Sequence, residues 1–184
     1  MKHDQERVIV AGFGGQGVML IGQILSYAAT NEEINTVWIP SYGPETRGGT
    51  ANCSVTISRP QIDSPVITHP DSVIAMNKPS LLKFEPKLKD HGILIVNNAS
   101  LADYTYRTDV HVISIDANKE ALDIGNLKVA NMVMLGAYIE ATGVFEKDAI
   151  TAVFKKIFTG KKAALIDLNI AALDRGIEIA KQHA

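Results

Sequence analysis

Hydrophobic and polar residues follow two periodicities along the chain, and these predict strands and helices in alternation. Short apolar or β-branched runs of about four to eight residues, bounded by glycine, proline or asparagine, are typical of strands. Stretches in which apolar residues recur three or four positions apart are typical of helices that cover a sheet. The predicted strands are 8–11, 36–39, 51–58, 72–76, 93–96 and 110–115, and the predicted helices are 18–30, a short one between Pro79 and Pro86, 127–141, 146–158 and 162–181.

One strand alternates more strictly than the others. In 51–58 every second residue is apolar, as expected for a strand with one face toward solvent. After a turn at 59–61, the segment 62–68 is predicted to return as its hairpin partner, interrupted by Pro65. Strands that alternate with helices favour an α/β fold, here a three-layer α/β/α sandwich with a mixed, mostly parallel sheet and a glycine-rich first β-α turn. We expect a single domain spanning residues 1–184.

The composition is ordinary for a soluble globular protein. Hydrophobic residues make up 46% of the chain and charged residues 21%, and the net charge of −2 gives no general electrostatic reason to bind nucleic acid. No apolar segment approaches the ~20 residues of a membrane span, and residues 1–6 are too polar to open a secretory signal. The sequence therefore predicts a cytoplasmic protein that binds neither nucleic acid nor membrane.

Cysteine and histidine usage predicts no metal site in this chain. Cys53 is the only cysteine, so it forms no internal disulfide and cannot hold an iron–sulfur cluster alone. It lies on the apolar face of its predicted strand, which favours a small core residue over a nucleophile. The five histidines are scattered, without an i,i+4 pair or a cysteine neighbour.

A glycine turn follows the first predicted strand. Gly12, Gly14 and Gly17 satisfy the G-x-G-x-x-G pattern, in which missing Cβ atoms let backbone N–H groups approach an anion at a helix N-terminus. Gly15 and Gln16 complete the turn. A structural alternative stays open, namely that these glycines only let the first helix pack closely on the sheet.

Two nucleotide-binding interpretations of this turn lack the residues that they need. An NAD site needs a carboxylate at the end of the second strand for the ribose hydroxyls, whereas Trp, Ile, Pro and Ser occupy 38–41. In a P-loop a lysine and a serine or threonine follow the glycines, whereas Val18 and Met19 occupy those positions. A free-standing protein that binds another nucleotide or a phosphate remains an alternative function.

A second glycine-bearing loop covers residues 41–50. Its ten residues exceed the usual connection of ~4–6, and long ordered loops on α/β scaffolds are often functional. Arg47 is suited either to binding a carboxylate or phosphate or to pairing with Glu45 and bracing the loop. The length of the loop favours contact with a ligand or a partner. Its candidate residues are Ser41, Tyr42, Glu45, Arg47, Gly48 and Gly49.

Six motifs follow one another along most of the chain. They are GFGGQGV at 12–18, SYGPETRGGTANCSVTIS at 41–58, IDSP at 62–65, DSVIAMN at 71–77, GILIVN at 92–97 and GNLKVANM at 125–132. This series resembles the gamma subunit of 2-oxoacid:ferredoxin oxidoreductases. The resemblance extends to the corresponding domain of single-chain pyruvate:ferredoxin oxidoreductases and to the smaller subunit of indolepyruvate oxidoreductases.

The resemblance implies a multi-subunit enzyme, inactive when this chain is alone. Such an assembly decarboxylates a 2-oxoacid oxidatively with thiamine diphosphate, passes electrons through [4Fe–4S] clusters to ferredoxin and forms an acyl-CoA. Thiamine diphosphate, Mg²⁺ and the clusters then belong to alpha, beta and delta subunits, because this chain lacks the Gly-Asp-Gly type segment and the cysteines that hold them. No catalytic or metal-binding residue is expected here.

The same resemblance carries expectations about the substrates. The segment SYGPETRGGTANC and the short stand-alone chain favour 2-oxoglutarate, with pyruvate and branched-chain oxoacids left open. CoA is the expected co-substrate near the two glycine loops, which we expect at the carboxyl side of adjacent strands, where open α/β sheets usually bind ligands. A purely structural module is the remaining alternative.

The helix predicted over 127–141 carries two further expectations. Asn131 lies in an otherwise apolar helix and needs a partner, so we expect it to bridge to a loop backbone. Met132, Met134 and Tyr138 give the helix a broad apolar surface. Either the last two helices cover this surface or a subunit interface does, and in the second case the isolated chain is expected to form a homodimer.

Overall fold

A computed structural model describes residues 4–43, 49–99 and 101–183 and shows a mixed α/β fold. The strands are β1 Gln5–Phe13, β2 Asn35–Tyr42, β3 Thr50–Ser58, β4 Ser72–Ala75, β5 Ile93–Asn97 and β6 His111–Ile115. The helices are α1 Val18–Asn31, α2 Lys78–Phe84, α3 Ala117–Ile124, α4 Ala130–Thr142, α5 Lys147–Ile157 and α6 Ile166–Gln182. Short 3₁₀ turns are Glu85–Lys87, Leu127–Val129 and Gly160–Leu165. The sequence did not predict α3.

The strands form one six-stranded sheet in the order β2-β3-β1-β4-β5-β6. β3 runs antiparallel to both of its neighbours, whereas β1, β4, β5 and β6 are parallel, which confirms a mixed, mostly parallel sheet. The predicted strand at 62–68 is wrong. Both edges of β3 are already paired, with β1 on one side and β2 on the other, so no free edge remains for a further hairpin partner.

β2 is longer than the sequence predicts, and this shortens the second glycine loop. It pairs with β3 as far as Tyr42 opposite Ala51, so Ser41 and Tyr42 are strand residues and the connection covers only 43–49. The N–H of Gly43 donates to the carbonyl of Thr50 at 2.8 Å. Because antiparallel pairs alternate, the nitrogen of Pro40 then faces the free edge of the sheet, where the missing N–H removes no ladder bond.

Two apolar clusters lie on the two faces of the sheet, and they differ in size. The larger includes Val10, Val55 and Ile95 of the sheet together with residues of α1, α3, α4, α5 and α6. The smaller includes Ile9, Val73 and Leu94, covered by α2 and the segment around Leu101. The sheet therefore has helices on both faces, as the predicted sandwich requires, with the second helical layer much thinner.

The apolar surface of α4 is completely covered. Met132, Met134 and Tyr138 are fully buried, and α6 crosses α4 directly. Burial within the chain, rather than a subunit interface, therefore accounts for these side chains: α6 packs along α4, and Tyr138 extends to Glu6 of β1. None of the three side chains is left for a subunit interface.

A buried carboxylate lies at the opposite end of β1 from the glycine turn. Ser72 Oγ and Tyr138 Oη donate to Glu6 Oε1 at 2.5 and 3.3 Å. Burial, and then the neighbouring Glu6 charge, raise the pKa of Tyr138 well above its usual value, so the phenol stays a hydrogen-bond donor. This polar group is satisfied inside the core and plays no part in the candidate site. No helix among the described residues is long and apolar enough to span a bilayer.

Candidate functional site at the carboxyl edge of the sheet

The glycine turn is a tight connection in which side chains are excluded for two different reasons. A Cβ on Gly12 would lie 2.8 Å from Gln16 Oε1 and 2.9 Å from Met76 Cβ, so the backbone runs close against its neighbours. Gly15 and Gly17 have positive φ of 94° and 76°, a conformation that L side chains rarely adopt. Gly17 caps the start of α1 in this left-handed conformation.

The side chain of Gln16 folds back to hold the turn. Its Oε1 accepts from the N–H of Phe13 at 2.7 Å and from Asn77 Nδ2 at 2.9 Å, and its Nε2 donates to the carbonyl of Met76 at 3.4 Å. Both acceptor positions of the oxygen are therefore occupied within the chain. The side chain of Gln16, one of the predicted site residues, therefore stabilises the turn through partners within this chain.

The two predicted loops meet at one edge of the sheet. The N–H of Gly14 donates to the carbonyl of Gly49 at 3.0 Å. The expectation that these loops follow adjacent strands is wrong, because β3 lies between β1 and β2. Glu45, Arg47 and Gly48 lie outside the described residues, so their contacts stay a prediction.

A cavity of about 490 Å³, which we call the hairpin cleft, opens where the two loops meet. Tyr42, with 68% of its surface exposed, stands at this cleft. Its walls are largely apolar, and they combine the glycine turn, the first turns of α1 and the start of β3. The lining residues are Phe13, Gly14, Gly15, Gly17, Val18, Met19, Leu20, Gln23, Tyr42, Gly49, Thr50 and Ala51.

A second cavity of about 390 Å³, which we call the carboxamide cavity, lies on the other side of the turn. Four side-chain amides line it, together with apolar atoms and one lysine. Gly15 lines both cavities, so the turn separates them. The lining residues are Gly15, Gln16, Met76, Asn118, Asn126, Leu127, Lys128, Ala130 and Asn131.

Most residues that line the carboxamide cavity were not predicted as site residues. Asn118 belongs to α3, which was not predicted, and it contributes to the cavity only through the fold. Asn126 and Lys128 lie in the GNLKVANM motif, which supplied a signal but no role. Such positions become site candidates when a polar motif residue is found next to a glycine turn at the carboxyl edge of parallel strands.

Asn131 behaves as expected and carries one additional feature. Its Nδ2 donates to the carbonyl of Gly17 at 3.3 Å, which joins α4 to the glycine turn. The residue is only 3% exposed, and its Oδ1 is buried without a hydrogen-bond partner in the described part of the chain. An unsatisfied acceptor beside a cavity is costly unless another group supplies a donor.

Cys53 is a core residue, as its position on the strand predicts. It has no exposed surface, and its Sγ lies 3.6 Å from the carbonyl of Val18. Burial raises the pKa of the thiol to about 11, so at neutral pH the thiolate that would act as a nucleophile is scarce. Within the described ranges, no three His, Cys, Asp or Glu side chains come together as a metal site requires.

Comparison with known proteins places the chain in a family. The profile of the family described as "Pyruvate ferredoxin/flavodoxin oxidoreductase" matches residues 7–179. The chain belongs to this family. Subunit KorC of 2-oxoglutarate synthase from Methanothermobacter marburgensis is 35% identical over 182 residues, covering 95% of this chain and 96% of KorC.

Further members of the pyruvate ferredoxin/flavodoxin oxidoreductase family agree with this assignment. Ketoisovalerate oxidoreductase subunit VorA of Methanothermobacter marburgensis is 36% identical over 179 residues, but the chain spans only 37% of its length. The gamma subunit of a keto/oxoacid ferredoxin oxidoreductase from Geobacter sulfurreducens has the same fold, with a TM-score of 0.80, 31% identity, and coverage of 96% and 99% of the two chains. The resemblance to gamma subunits is therefore confirmed.

Proposed function

We propose that this chain is the gamma subunit of a thiamine-diphosphate-dependent 2-oxoacid:ferredoxin oxidoreductase. The assembly decarboxylates a 2-oxoacid oxidatively, transfers the acyl group to CoA and reduces ferredoxin, with alpha, beta and delta subunits as partners. The observation that carries the proposal is the meeting of the two glycine-bearing connections beside two cavities at the carboxyl edge of the sheet. Ligands of α/β proteins usually bind at this edge.

The residues of this chain do not fit the redox cofactors of such an enzyme. A [4Fe–4S] cluster needs several cysteine thiolates, whereas Cys53 is single and buried. The chain also lacks the Gly-Asp-Gly type segment that would hold Mg²⁺ and a diphosphate. We therefore assign thiamine diphosphate, Mg²⁺ and the clusters to the partner subunits and no redox step to this chain.

The same residues suit a long ligand such as CoA. CoA combines apolar and amide-bearing parts with phosphate groups, and the two cavities offer an apolar cleft on one side of Gly15 and carboxamides with Lys128 on the other. Gly15 has no atom within 4 Å of the position of an added Cβ, so a ligand is free to approach its backbone. We propose that CoA passes over the glycine turn and contacts both cavities.

A substitution at Gly15 tests this placement of CoA. Gly15→Asn adds a side chain between the cavities, and asparagine tolerates positive φ better than other side chains. We expect the Kd of the assembled complex for CoA to rise at least about 10-fold, measured by calorimetric titration. Arg47→Ala tests the second loop in the same way.

Gly160→Asn is the matched control for Gly15→Asn. Gly160 also has positive φ, 58°, and open space around it, but it lines neither cavity. The control variant is expected to bind CoA as the unmodified complex does. A Gly15→Asn complex with unchanged CoA affinity would remove CoA from this edge of the sheet.

The proposed oxoacid is 2-oxoglutarate. Support comes from the near full-length match to a 2-oxoglutarate synthase subunit, whereas the ketoisovalerate relative is much longer than this chain. In the purified complex, assayed with CoA and a viologen acceptor, kcat/KM for 2-oxoglutarate is expected to exceed that for pyruvate and 2-ketoisovalerate by at least about 10-fold. The isolated chain is expected to turn over none of them. A preference for another oxoacid contradicts the substrate assignment and leaves the subunit assignment intact.

The oligomeric state of the isolated chain stays a prediction. A homodimer was one of two expectations for the apolar surface of α4, and its Met132, Met134 and Tyr138 are buried within the chain. A homodimer formed by the isolated chain would therefore have to use other surfaces.

A further inference from the structure

Four side-chain carboxamides connect the ends of β1, β4 and β5 with the start of α3. They form a continuous series of hydrogen bonds along the carboxyl edge of the sheet, which we call the carboxamide relay. Its members are Gln16, Asn77, Asn97 and Asn118. Gln16 and Asn118 line the carboxamide cavity, whereas Asn77 and Asn97 do not.

The first half of the carboxamide relay fixes the orientation of Gln16. Phe13 N–H and Asn77 Nδ2 both donate to Gln16 Oε1, so a flipped amide would direct its NH₂ group at two donors. Asn77 is held in turn, because its Oδ1 accepts from the N–H of Ser80 at 3.0 Å and caps α2. The start of α2 therefore determines which way the Gln16 amide faces the glycine turn.

The second half joins Gln16 to α3 through a shared acceptor. The carbonyl of Met76 accepts from both Gln16 Nε2 and Asn97 Nδ2, each at 3.4 Å. Asn97 Nδ2 also donates to Asn118 Oδ1 at 3.1 Å. The Oδ1 of Asn97 accepts from the N–H of Ala117 at 3.2 Å. Only 3% of the surface of Asn97 is exposed, so its hydrogen bonds form away from competing water.

We propose that Asn77 and Asn97 are positioning residues that set the geometry of the glycine turn relative to α3, and so the shape of the carboxamide cavity. A carboxamide has one donor side and one acceptor side, so Gln16, Asn77 and Asn97 cannot turn over without breaking bonds on both sides. A change at Asn97 is therefore transmitted to Phe13 and Gly15 without a direct contact. The identity of the ligand as CoA rests on the proposed function, whereas the transmission rests on the hydrogen bonds alone.

Isosteric Asn→Asp substitutions separate the relay from helix capping. Asn77→Asp keeps the oxygen that caps Ser80 but replaces the donor to Gln16 by a second oxygen. The Gln16 amide then turns its NH₂ group toward the new carboxylate and leaves the N–H of Phe13 without its acceptor. Asn97→Asp likewise keeps the acceptor for Ala117 and removes the donors to Met76 and Asn118.

Asn98→Asp is the matched control. It introduces the same charge at the neighbouring residue, whose Nδ2 donates to Ser114 Oγ at 2.9 Å outside the relay. Asn118→Ala is a second variant, at the α3 end of the relay, and it removes the acceptor of Asn97 Nδ2. It tests the same connection without adding a charge, in case Asn97→Asp does not fold.

Amide hydrogen exchange in the full-length chain, followed by NMR, is the first measurement. In Asn77→Asp the N–H of Phe13 is expected to exchange at least about 10-fold faster while that of Ser80 stays protected. In Asn97→Asp and Asn118→Ala the N–H of Phe13 is expected to exchange about 3-fold to 10-fold faster, although neither residue contacts it. Asn98→Asp should leave it unchanged. If neither Asn97→Asp nor Asn118→Ala accelerates exchange at Phe13 more than Asn98→Asp does, the proposal is overturned.

Kinetics of the assembled complex are the second measurement. Positioning without chemistry predicts that Asn77→Asp and Asn97→Asp raise the KM for CoA about 3-fold to 10-fold and leave kcat within about 2-fold. Altered exchange at Phe13 with an unchanged KM supports the relay and contradicts the proposed CoA site. The two proposals therefore fail independently.

Discussion

Gly176→Ala is expected to destabilise the chain by at least about 3 kcal/mol, although alanine is the better helix former. Gly176 lies in α6 where that helix crosses α4. A Cβ there would lie 1.9 Å from the carbonyl oxygen of Val133 and 2.8 Å from the nitrogen of Ala137, and backbone atoms cannot rotate away as a side chain does. The reverse contact is equally close, since a Cβ on Gly136 would lie 2.0 Å from the carbonyl oxygen of Leu173.

The helices must therefore separate to admit a single methyl group. Separation exposes apolar residues at the crossing, such as Val133 and Leu173, both of which are fully buried in the folded chain. The measurement is urea denaturation followed by circular dichroism.

Ala171→Gly is the control for Gly176→Ala. Ala171 is exposed on the same helix, so its replacement tests helix propensity without the crossing, at an expected cost of about 1 kcal/mol. If Gly176→Ala is as stable as the unmodified chain, the close crossing of α4 and α6 is wrong.

Gly17→Ala is expected to cost about 2–4 kcal/mol, and part of that cost is expected to disappear when Asn131 is shortened. Two effects add at this position. The backbone is left-handed with φ of 76°, and an added Cβ would lie 2.2 Å from Asn131 Nδ2 and 3.1 Å from Asn131 Cβ. Asn131 is buried, so its side chain has little room to move away.

A double-mutant cycle separates these two effects. Asn131→Ala alone loses the bond to the Gly17 carbonyl, about 1 kcal/mol, and it removes the unsatisfied Oδ1 as well. In the double variant the 2.2 Å clash is gone, while the backbone strain and the tight 3.1 Å contact with the Cβ of residue 131 remain, so the combined loss should be smaller than the sum by at least about 1 kcal/mol.

Gly125→Ala provides the reference for backbone strain alone. Gly125 has φ of 116° and no atom within 4 Å of an added Cβ. If the stability losses of Gly17→Ala and Asn131→Ala add within about 0.5 kcal/mol in the double variant, the added Cβ does not clash with Asn131. Denaturation of all four variants under one set of conditions supplies the comparison.

The sequence predicted the strand and helix types where periodicity was strong. The strand at 51–58 lies where it was expected, but the expectation that one of its faces meets solvent is wrong for its second half, because Thr56 and Ser58 are buried. The glycine turn follows β1 as expected, although β1 extends to Phe13 and so includes Gly12. The segment 62–68 was misassigned because its local pattern permits a strand, whereas pairing needs a free edge that β3 does not have. α3 was missed because it is short, with only Ala117 and Ala121 buried, and so it lacks a long apolar stripe.

The candidate site was predictable only in part, for the same reason. Glycines at a strand end are visible in the sequence, and the structure places Gly14 against Gly49. The local sequence gave Asn118 and Asn126 no site role, because an amide near a helix start usually serves as a cap. Their arrangement around Gly15 and Gln16 comes from the parallel order of β1, β4 and β5.

By itself the sequence determined the alternation of strands and helices, the place of the glycine turn after β1 and the core role of Cys53, because each depends on residues that are close together along the chain. The tertiary structure alone decided which strands flank β3, that α6 covers α4, and which amides surround the glycine turn. These depend on contacts such as that between Gly17 and Asn131, which are 114 positions apart. Packing and shared hydrogen bonds select such contacts, and a local sequence pattern does not predict them.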